Sequence, residues 1–363
     1  MIDRSIISQK IKVDPERRII AISDIHANLP VFQKLLHKIA YDMDKDELFL
    51  VGDLLEKGSY NMETLYEIMK LSQHPHVHPM MGNCDFVCKN VLYEYRLEFL
   101  KEVLMNRKNS ILHEMAATLG ITFHKDIDMH DYCKALKQHF RKELEFVDAL
   151  PHVIETQDFI FGHAAILNEH QYGEDMRDIM THNRFFEEER SFHKYVVVGH
   201  LPVSEYCEGI CCFNPRIDEY RHIITIDGGN EVKDAGQLNA LLIDHHQFSY
   251  AHSDDLEKAQ ITDTFLPENK DPFFITWHDS EVTVLKKDEV TYLCRHLSSG
   301  KDFWIPKDFL YQCGKEMHVD NFTTYRMPVR KGDYVKIVAT CGDQVLVKKK
   351  GTMGWIPRKI LKS

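Results

Sequence analysis

An α/β domain followed by two small all-β units is the fold class this sequence predicts, and three observations predict it. At 363 residues and 44% apolar, the chain is long enough for two domains with real cores. Up to about residue 250, short apolar runs alternate with helical spacing, the pattern of an α/β sheet. Beyond residue 273 that spacing gives way to strand-rich segments built around an internal repeat.

The elements follow in order. "RRIIAISD" (17–24) reads as a buried strand, and Phe32, Leu35, Leu36 and Ile39 mark the helix after it. "ELFLVGD" (47–53) is a second strand, followed by a helix over 62–71, and "HVHPMMGN" is a third strand. Residues 86–150 form a helical insertion, in which "NVLYEYRLEFLKEVLMN" spaces Leu92, Tyr95, Leu97, Leu100 and Leu104 along one helical face. Such an insertion either packs on the sheet or caps the site beside it. "TQDFIFGHA" and "KYVVVGHLP" repeat the strand-then-turn pattern, and "HIITIDGG" and "LNALLIDHH" close the domain at 255. Residues 256–272 thin to a linker. In 273–363, "DFWIPKDFL" and "MGWIPRKIL" share Trp-Ile-Pro-x-x-x-Leu, with Trp304 and Trp355 as equivalents in two β units.

Composition narrows the function classes. The net charge of −11 divides unevenly: residues 273–363 carry 16 Lys and Arg against 10 Asp and Glu, and the rest carries 29 against 46. An acidic body of that kind is not a bulk nucleic-acid binder, because phosphate neutralisation needs a basic footprint. No apolar run approaches a membrane span and the N-terminus has no signal-like segment, so a cytoplasmic protein with reduced thiols is expected.

Five strand ends carry the candidate chemistry. They are Asp24 and His26 in "SDIHAN", Asp53 in "VGDLLEKG", Asn83 in "GNCD", His163 in "FGHAAI" and His200 in "VGHLPV". Each comes directly off an apolar run, at the edge where open α/β sheets place ligands. Alone, such an Asp is more often a helix cap and such a His a core residue. Together, two Asp, one Asn and three His suit a pair of divalent ions: manganese first, with iron, zinc or nickel as alternatives. Asn83 would add a carbonyl oxygen without a third carboxylate charge.

The order Asp-x-His, Gly-Asp-x-x-acid-base-Gly, Gly-Asn-x-acid, His and Gly-His-x-Pro resembles the calcineurin-like metallophosphoesterases, over residues 17–245. Within them it looks most like the bacterial phosphoprotein phosphatase branch. The resemblance implies a four-layer α/β/β/α sandwich, and the two β units resemble SH3-like repeats that could bind a protein partner. It also implies one metal held by Asp24, His26 and Asp53, and a second by Asp53, Asn83, His163 and His200. The pair would activate a hydroxide for in-line attack on a phosphorylated protein or small molecule. Phosphomonoester hydrolysis is the first function expected. The alternatives are a phosphodiesterase or dinucleoside polyphosphate hydrolase, and a metal-containing scaffold working through the repeats.

Two departures bear on the chemistry. Lys57 stands where the branch usually has Arg, a point charge in place of a bidentate fork. Cys84 stands where the branch has a leaving-group His, and a thiol is a poor general acid. Without that acid, phosphoanhydrides and aryl phosphates should react better than phosphoserine. Arg184, in "MTHNRFFEEER", is a candidate for the missing grip, and Asp85 is expected to cap the next helix or orient a ligand. The His74-His76-His78 alternation and the "CEGICC" cluster (207–212) are not read as metal sites. Lys348, Lys349 and Lys350 are read as a solvated hairpin edge.

Overall fold

Two mixed β-sheets pack face to face in the first of two units into which the chain divides. In the computed structural model, which describes residues 2–362, this unit comprises 1–202, 215–232 and 236–254. The five-stranded sheet has the order Gln247–Ser253, Leu238–Asp244, Arg18–Ile22, Asp46–Leu50, Val77–Pro79. Its last three strands are parallel, so Ile22 and Leu50 end on one edge and the turns bearing Asp24 and Asp53 emerge together. The six-stranded sheet has the order Ser8–Lys10, Val153–Glu155, Phe159–Gly162, Tyr195–Val198, Ile223–Thr225, Arg216–Asp218. There Phe159–Gly162, Tyr195–Val198 and Ile223–Thr225 run parallel and deliver His163 and His200.

The apolar runs have both faces buried because the two sheets share one core. Ala21, Phe49 and Leu241 from one sheet meet Ile154, Phe161, Val197 and Ile224 from the other. The rings of Phe49 and Phe161 stack with centroids 4.0 Å apart. At about 25 cal/mol per Å² of apolar surface, each such side chain contributes roughly 2 kcal/mol before its ordering entropy is subtracted. Pro at the start of helix Leu29–Lys38 and the Asn28 side chain, which accepts from the Val31 amide, set that helix off the first turn.

The insertion corrects one expectation. The long helix expected from "NVLYEYRLEFLKEVLMN" is two, Val87–Leu92 and Leu97–Asn106. Glu94 and Arg96 adopt left-handed conformations between them, so Leu92 and Leu100 leave the shared helical face. Helices Ile111–Thr118, Met129–His139 and Arg141–Asp148 complete it.

The second unit comprises Val203–Asn214, Lys233–Ala235 and Asp255–Ser363. It holds two antiparallel sheets. One has the order Asp302–Pro306, Thr291–His296, Glu281–Lys287, Glu316–Val319, Leu310–Cys313, and the other Lys258–Gln260, Tyr334–Cys341, Gln344–Lys349, Thr352–Pro357. Each Trp-Ile-Pro strand runs into a 3₁₀ turn, as a repeat requires. Two expectations change here. Residues 256–272 are not a bare linker, because Lys258–Gln260 pairs with Tyr334–Lys336 and Ile261 is buried in that sheet's core. The boundary at 255 is also too simple. Lys233 is buried against Glu205 at 2.5 Å and Asn321 at 2.7 Å, with its ammonium over the Trp277 ring. Cys211, Phe213 and Ala235 join an apolar cluster with Phe274, Leu346 and Trp355. Lys348 is not a solvated edge residue either: it is buried and its ammonium donates to the Ala235 carbonyl. Among the described residues, no helix is long and apolar enough to cross a membrane.

A buried cluster in the six-stranded sheet gives a pH prediction far from the strand ends. Glu155 accepts from Lys194 at 2.7 Å and from Tyr172, and pairs with Lys10 at 2.9 Å. Burial alone would raise its carboxyl, but these three partners hold it down to about 2. Its folded value lies below its unfolded one, so its contribution is full above about pH 4.5 and fades as pH falls towards 2. Glu155→Gln should therefore cost about 2 kcal/mol in urea unfolding at pH 7, with the deficit shrinking towards pH 2. A deficit independent of pH would count against this account.

Candidate metal centre

The strand-end turns are held to one another by their backbones before any side chain is considered. The Asp24 amide donates to the Gly52 carbonyl, that of His26 to Asp53, and that of Ala27 to Leu54, each at 3.0 Å. Asp24, His26, Asp53 and His200 all have positive φ, at 57°, 48°, 50° and 70°. A left-handed conformation costs a non-glycine residue about 1–2 kcal/mol, so four of them together are strain the surrounding fold holds in place. The effect is to turn four polar side chains back over the sheet edge.

The turns approach so closely that glycine is required between them. A Cβ on Gly82 would lie 2.1 Å from the Asp53 amide nitrogen and 2.2 Å from its Oδ1. A Cβ on Gly199 would lie 2.3 Å from Asp24 Oδ2. Gly82→Ala is accordingly expected to cost about 2–4 kcal/mol, because the clash is with backbone that cannot swing aside. Thermal unfolding checks this, and an unchanged midpoint would mean the turns are not held as described.

Asp53 is central. Its Oδ1 accepts from the Cys84 amide at 2.8 Å and lies 3.3 Å from His163 Nε2, while its Oδ2 lies 3.7 Å from His26 Nε2. Two sets of donor atoms lie within 4.8 Å of one another, Asp24–Asp53–His163 and His26–Asp53–Cys84, and Asp53 belongs to both. Asn83 Oδ1 is 3.0 Å from His163 Nε2, and the His200 ring packs edge-on against His163 at 5.1 Å. The His200 amide donates to Asp24 Oδ2 at 3.0 Å. All six side chains proposed from the sequence thus meet in one place.

The donor set suits divalent cations. His163 Nδ1 lies 3.0 Å from the Val51 carbonyl and His26 Nδ1 3.4 Å from that of Leu55, so donation from each Nδ1 would leave its Nε2 to serve a cation. Burial and the Lys57 ammonium hold His26 down to about 3, and burial with His163 does the same for His200. Burial, then the charge of Asp53, pushes the Asp24 carboxyl up to about 8. Burial would raise Asp53 too, but His163, His26 and Lys57 hold it well below the usual carboxylate range. Asp24 Oδ1 is buried with no hydrogen-bond partner among the described residues. Neutral imidazoles at His26 and His200 and a carboxylate oxygen lacking a donor are what a divalent ion complements.

Of the other sequence candidates, Lys57, Asp85 and Cys84 adjoin this group. Lys57 Nζ is 3.2 Å from His26 Nε2, and the carboxylates of Asp53, Asp24 and Asp227 raise its affinity for its proton against the effect of burial. Asp85 does not cap the next helix, whose N-cap is Phe86. It instead accepts from the Leu54 and Leu55 amides at 3.0 Å and from Gly82 at 2.8 Å, clamping the Asp53 turn to the Asn83 turn. Cys84 is a buried thiol that burial pushes well above its usual range. Arg184 precedes a 3₁₀ turn in a left-handed conformation, and its Nε donates to Glu187 at 2.5 Å. His76 and His78, read as having no ligand role, bond to the buried Glu47 at 3.0 and 2.6 Å.

Three residues join the site that the strand-end reading left out. Asp227, after Ile223–Thr225, is buried, and burial with Asp24 nearby pushes its carboxyl well up. It too ends an apolar run, in "IITIDGG", though its glycines follow rather than precede it. Glu56, fully buried, accepts from Arg107 Nη1 at 2.6 Å, Ser110 at 2.8 Å and the Ile111 amide at 2.9 Å. Arg107 Nη2 reaches 3.8 Å from Cys84 Sγ, so the helical insertion sends a guanidinium to the edge of the cluster. Nothing in the local sequence marks Arg107.

The sequence profile described as calcineurin-like phosphoesterase matches residues 17–218. A symmetrical bis(5'-nucleosyl)-tetraphosphatase of Pseudomonas fluorescens is 32% identical over 88 residues, 23% of this chain and 30% of its own. One of Xanthomonas axonopodis is 37% identical over 65 residues, 18% of this chain and 20% of its own. The chain thus spans less than a third of the length of these curated relatives. A solved protein serine/threonine phosphatase of Saccharomyces cerevisiae covers 70% of this chain and 85% of its own at 12% identity, with a TM-score of 0.42. That likeness is too distant to bear on function.

Proposed function

The chain belongs to the calcineurin-like phosphoesterase family, and from that premise we propose that it is a metal-dependent hydrolase of phosphate esters and anhydrides with good leaving groups, dinucleoside polyphosphates foremost. The observation that carries the reading is the convergence of Asp24, His26, Asp53, Asn83, His163 and His200 on one buried edge, with Asp53 common to two donor sets. Asp24, His26 and Asp53 would hold one ion, and Asp53, Asn83, His163 and His200 the other, with manganese the metal proposed. Two such ions supply charge neutralisation and nucleophile activation when bound.

The chain's own residues do the rest. The Leu55 and Val51 carbonyls orient His26 and His163. Asp85 keeps the Asp53 and Asn83 turns in register. Lys57 and Arg107 bring positive charge to the phosphate side of the cluster, beside Cys84. The substrate class rests on Cys84: a thiol next to Asn83 is a poor proton donor to an alkoxide, whereas a phosphate or phenolate leaves without one. Phosphoanhydride substrates also accord with the activity named for the Pseudomonas and Xanthomonas relatives. The remaining reading, a phosphomonoesterase acting on phosphoprotein, is favoured by the motif order alone.

The test compares the manganese-loaded protein on diadenosine tetraphosphate, p-nitrophenyl phosphate, bis-p-nitrophenyl phosphate and a phosphoserine peptide. The anhydride should be hydrolysed with the highest kcat/KM and the peptide with the lowest. A preference for the peptide would replace this reading with the phosphoprotein phosphatase.

A further inference from the structure

We infer that the cavity beside Asn83, lined by the helical insertion and residues 176–181, is a leaving-group subsite shaped for a planar ring, with Arg107 gripping the phosphate at its inner end. The inference rests on the phosphate-hydrolase reading and adds to it the form of the substrate.

The cavity has a volume of about 190 Å³. That is below the roughly 300–1,000 Å³ that encloses a whole drug-sized ligand, so it takes one ring-sized group and leaves the remainder outside. Asn83 and Arg107 are lining residues that also reach the strand-end cluster, at His163 and Cys84, and Phe86, Tyr95, Phe99 and Met180 line it with them. Phe86 and Tyr95 meet edge to face at 6.4 Å, an aromatic cluster of the kind that packs well on a further ring. Phe99 is 46% exposed although it sits on an amphipathic helix, and the planar Arg96 guanidinium already lies 4.3 Å over its ring. Met180 adds a polarisable thioether, which packs well on ring edges.

The inner end explains the phosphate. Arg107 is fixed on one side by Glu56 at 2.6 Å and turns Nη2 towards Cys84, one residue from Asn83. Its guanidinium keeps N–H groups that Glu56 does not engage, in a fork that matches two phosphate oxygens. Lys57 is a point donor lying against His26, so the bidentate grip missing at position 57 is restored from the insertion. Ring pocket and guanidinium come from the same insertion, in the order a ring-bearing phosphate presents them.

Two kinds of compound carry a ring in this relation to phosphate, a nucleotide and an aryl phosphate such as phosphotyrosine. The first measurement is a binding one on the full manganese-loaded chain: calorimetric titration with phenylphosphonate and with methylphosphonate, neither hydrolysable. The phenyl compound should bind about tenfold more tightly. Phe99→Ala, at a half-exposed position that endangers the fold little, should cost it about tenfold more than it costs the methyl compound. Equal affinity of the two, failure of both to bind, or equal loss in Phe99→Ala would overturn the subsite.

Arg107→Lys keeps a cation for Glu56 and should lower kcat/KM about 10–100-fold on every phosphate substrate with little change in melting temperature. If that variant unfolds, Arg107→Met with Glu56→Gln removes both buried charges together, and retention of full kcat/KM in it would overturn the role of Arg107. Comparing Phe99→Ala on diadenosine tetraphosphate and on a phosphotyrosine peptide separates the two sources, the natural one suffering the larger loss. Selective phenylphosphonate binding without hydrolysis of any substrate would sink the function reading and leave the subsite standing. Hydrolysis without ring preference would do the reverse.

Discussion

Replacing Asp53 with Asn is expected to lower kcat/KM by at least about a thousandfold on every substrate while the protein stays folded. That factor corresponds to about 4 kcal/mol of lost transition-state stabilisation. Asp53 is the one side chain common to both donor sets, with Oδ1 towards His163 and the Cys84 amide and Oδ2 towards His26. Asn keeps an acceptor for the Cys84 amide but presents an NH₂ group where the second oxygen stood, and it removes the negative charge that would be shared between two cations. Stability separates this account from simple damage. In chelator the variant loses a charge that His163, His26 and Lys57 hold ionised against burial, a loss offset in part by relief of Asp24, so it should still unfold cooperatively, at a somewhat lower temperature than the parent treated in the same way. The parent should gain melting temperature on adding manganese, by the linkage RT ln(1 + [L]/Kd), and the variant should gain little. A parent whose melting temperature ignores both manganese and chelator would sink the metal centre. Retained activity in Asp53→Asn would remove Asp53 from its core.

The parts of this site that could be read from the sequence are those written locally. An apolar run, a glycine and a polar residue together describe a buried strand leaving its sheet sharply. Four such ends carry Asp53, Asn83, His163 and His200, and a fifth, with Ser23 in the place of the glycine, carries Asp24 and His26. The parallel pairing of Arg18–Ile22, Asp46–Leu50 and Val77–Pro79 brings the ends bearing Asp24, Asp53 and Asn83 together, and that of Phe159–Gly162 with Tyr195–Val198 does the same for His163 and His200. What stayed hidden was tertiary. Glu56 and Arg107 are 51 residues apart, and neither has a local mark of burial. Lys348 reads as a solvated hairpin cation yet is buried, because the Ala235 carbonyl satisfies it, and Lys233, unmarked in its local sequence, is buried against Glu205. The helix break at 93–96 has no glycine or proline, and Glu94 and Arg96 take up the left-handed turn instead. Ser8–Lys10 and Arg216–Asp218 carry little apolar pattern because they are short edge strands, the first exposed and the second half-buried.

Hydrolysis should depend steeply on the leaving group. Across phosphate monoesters, aryl leaving groups should outpace alkyl ones by about 10²–10⁴ more than in an enzyme with a positioned general acid, the usual worth of such an acid. The residue after Asn83 decides this. Cys84 is 2% exposed, its amide is committed to Asp53, and burial holds its thiol protonated and weakly acidic. Its neighbours offer no substitute. Arg107 does not give up a proton in proteins. Burial, then Asp53, pushes the Asp85 carboxyl up to about 7, but its oxygens are fully buried and committed to the amides of Leu54, Leu55 and Gly82, and the nearby acidic groups strengthen the hold of Lys57 on its proton. An alkoxide would therefore depart without protonation, whereas a phenolate or a nucleotide phosphate is stable as it leaves. The measurement is kcat/KM over substituted phenyl phosphates and one alkyl phosphate, for the parent and for Cys84→Ala. Both proteins should show the same steep slope against leaving-group pKa, with aryl rates in the variant within a few-fold of the parent. A shallow slope in the parent, steepened by Cys84→Ala, would make the thiol the acid after all and return phosphoserine to the candidate substrates.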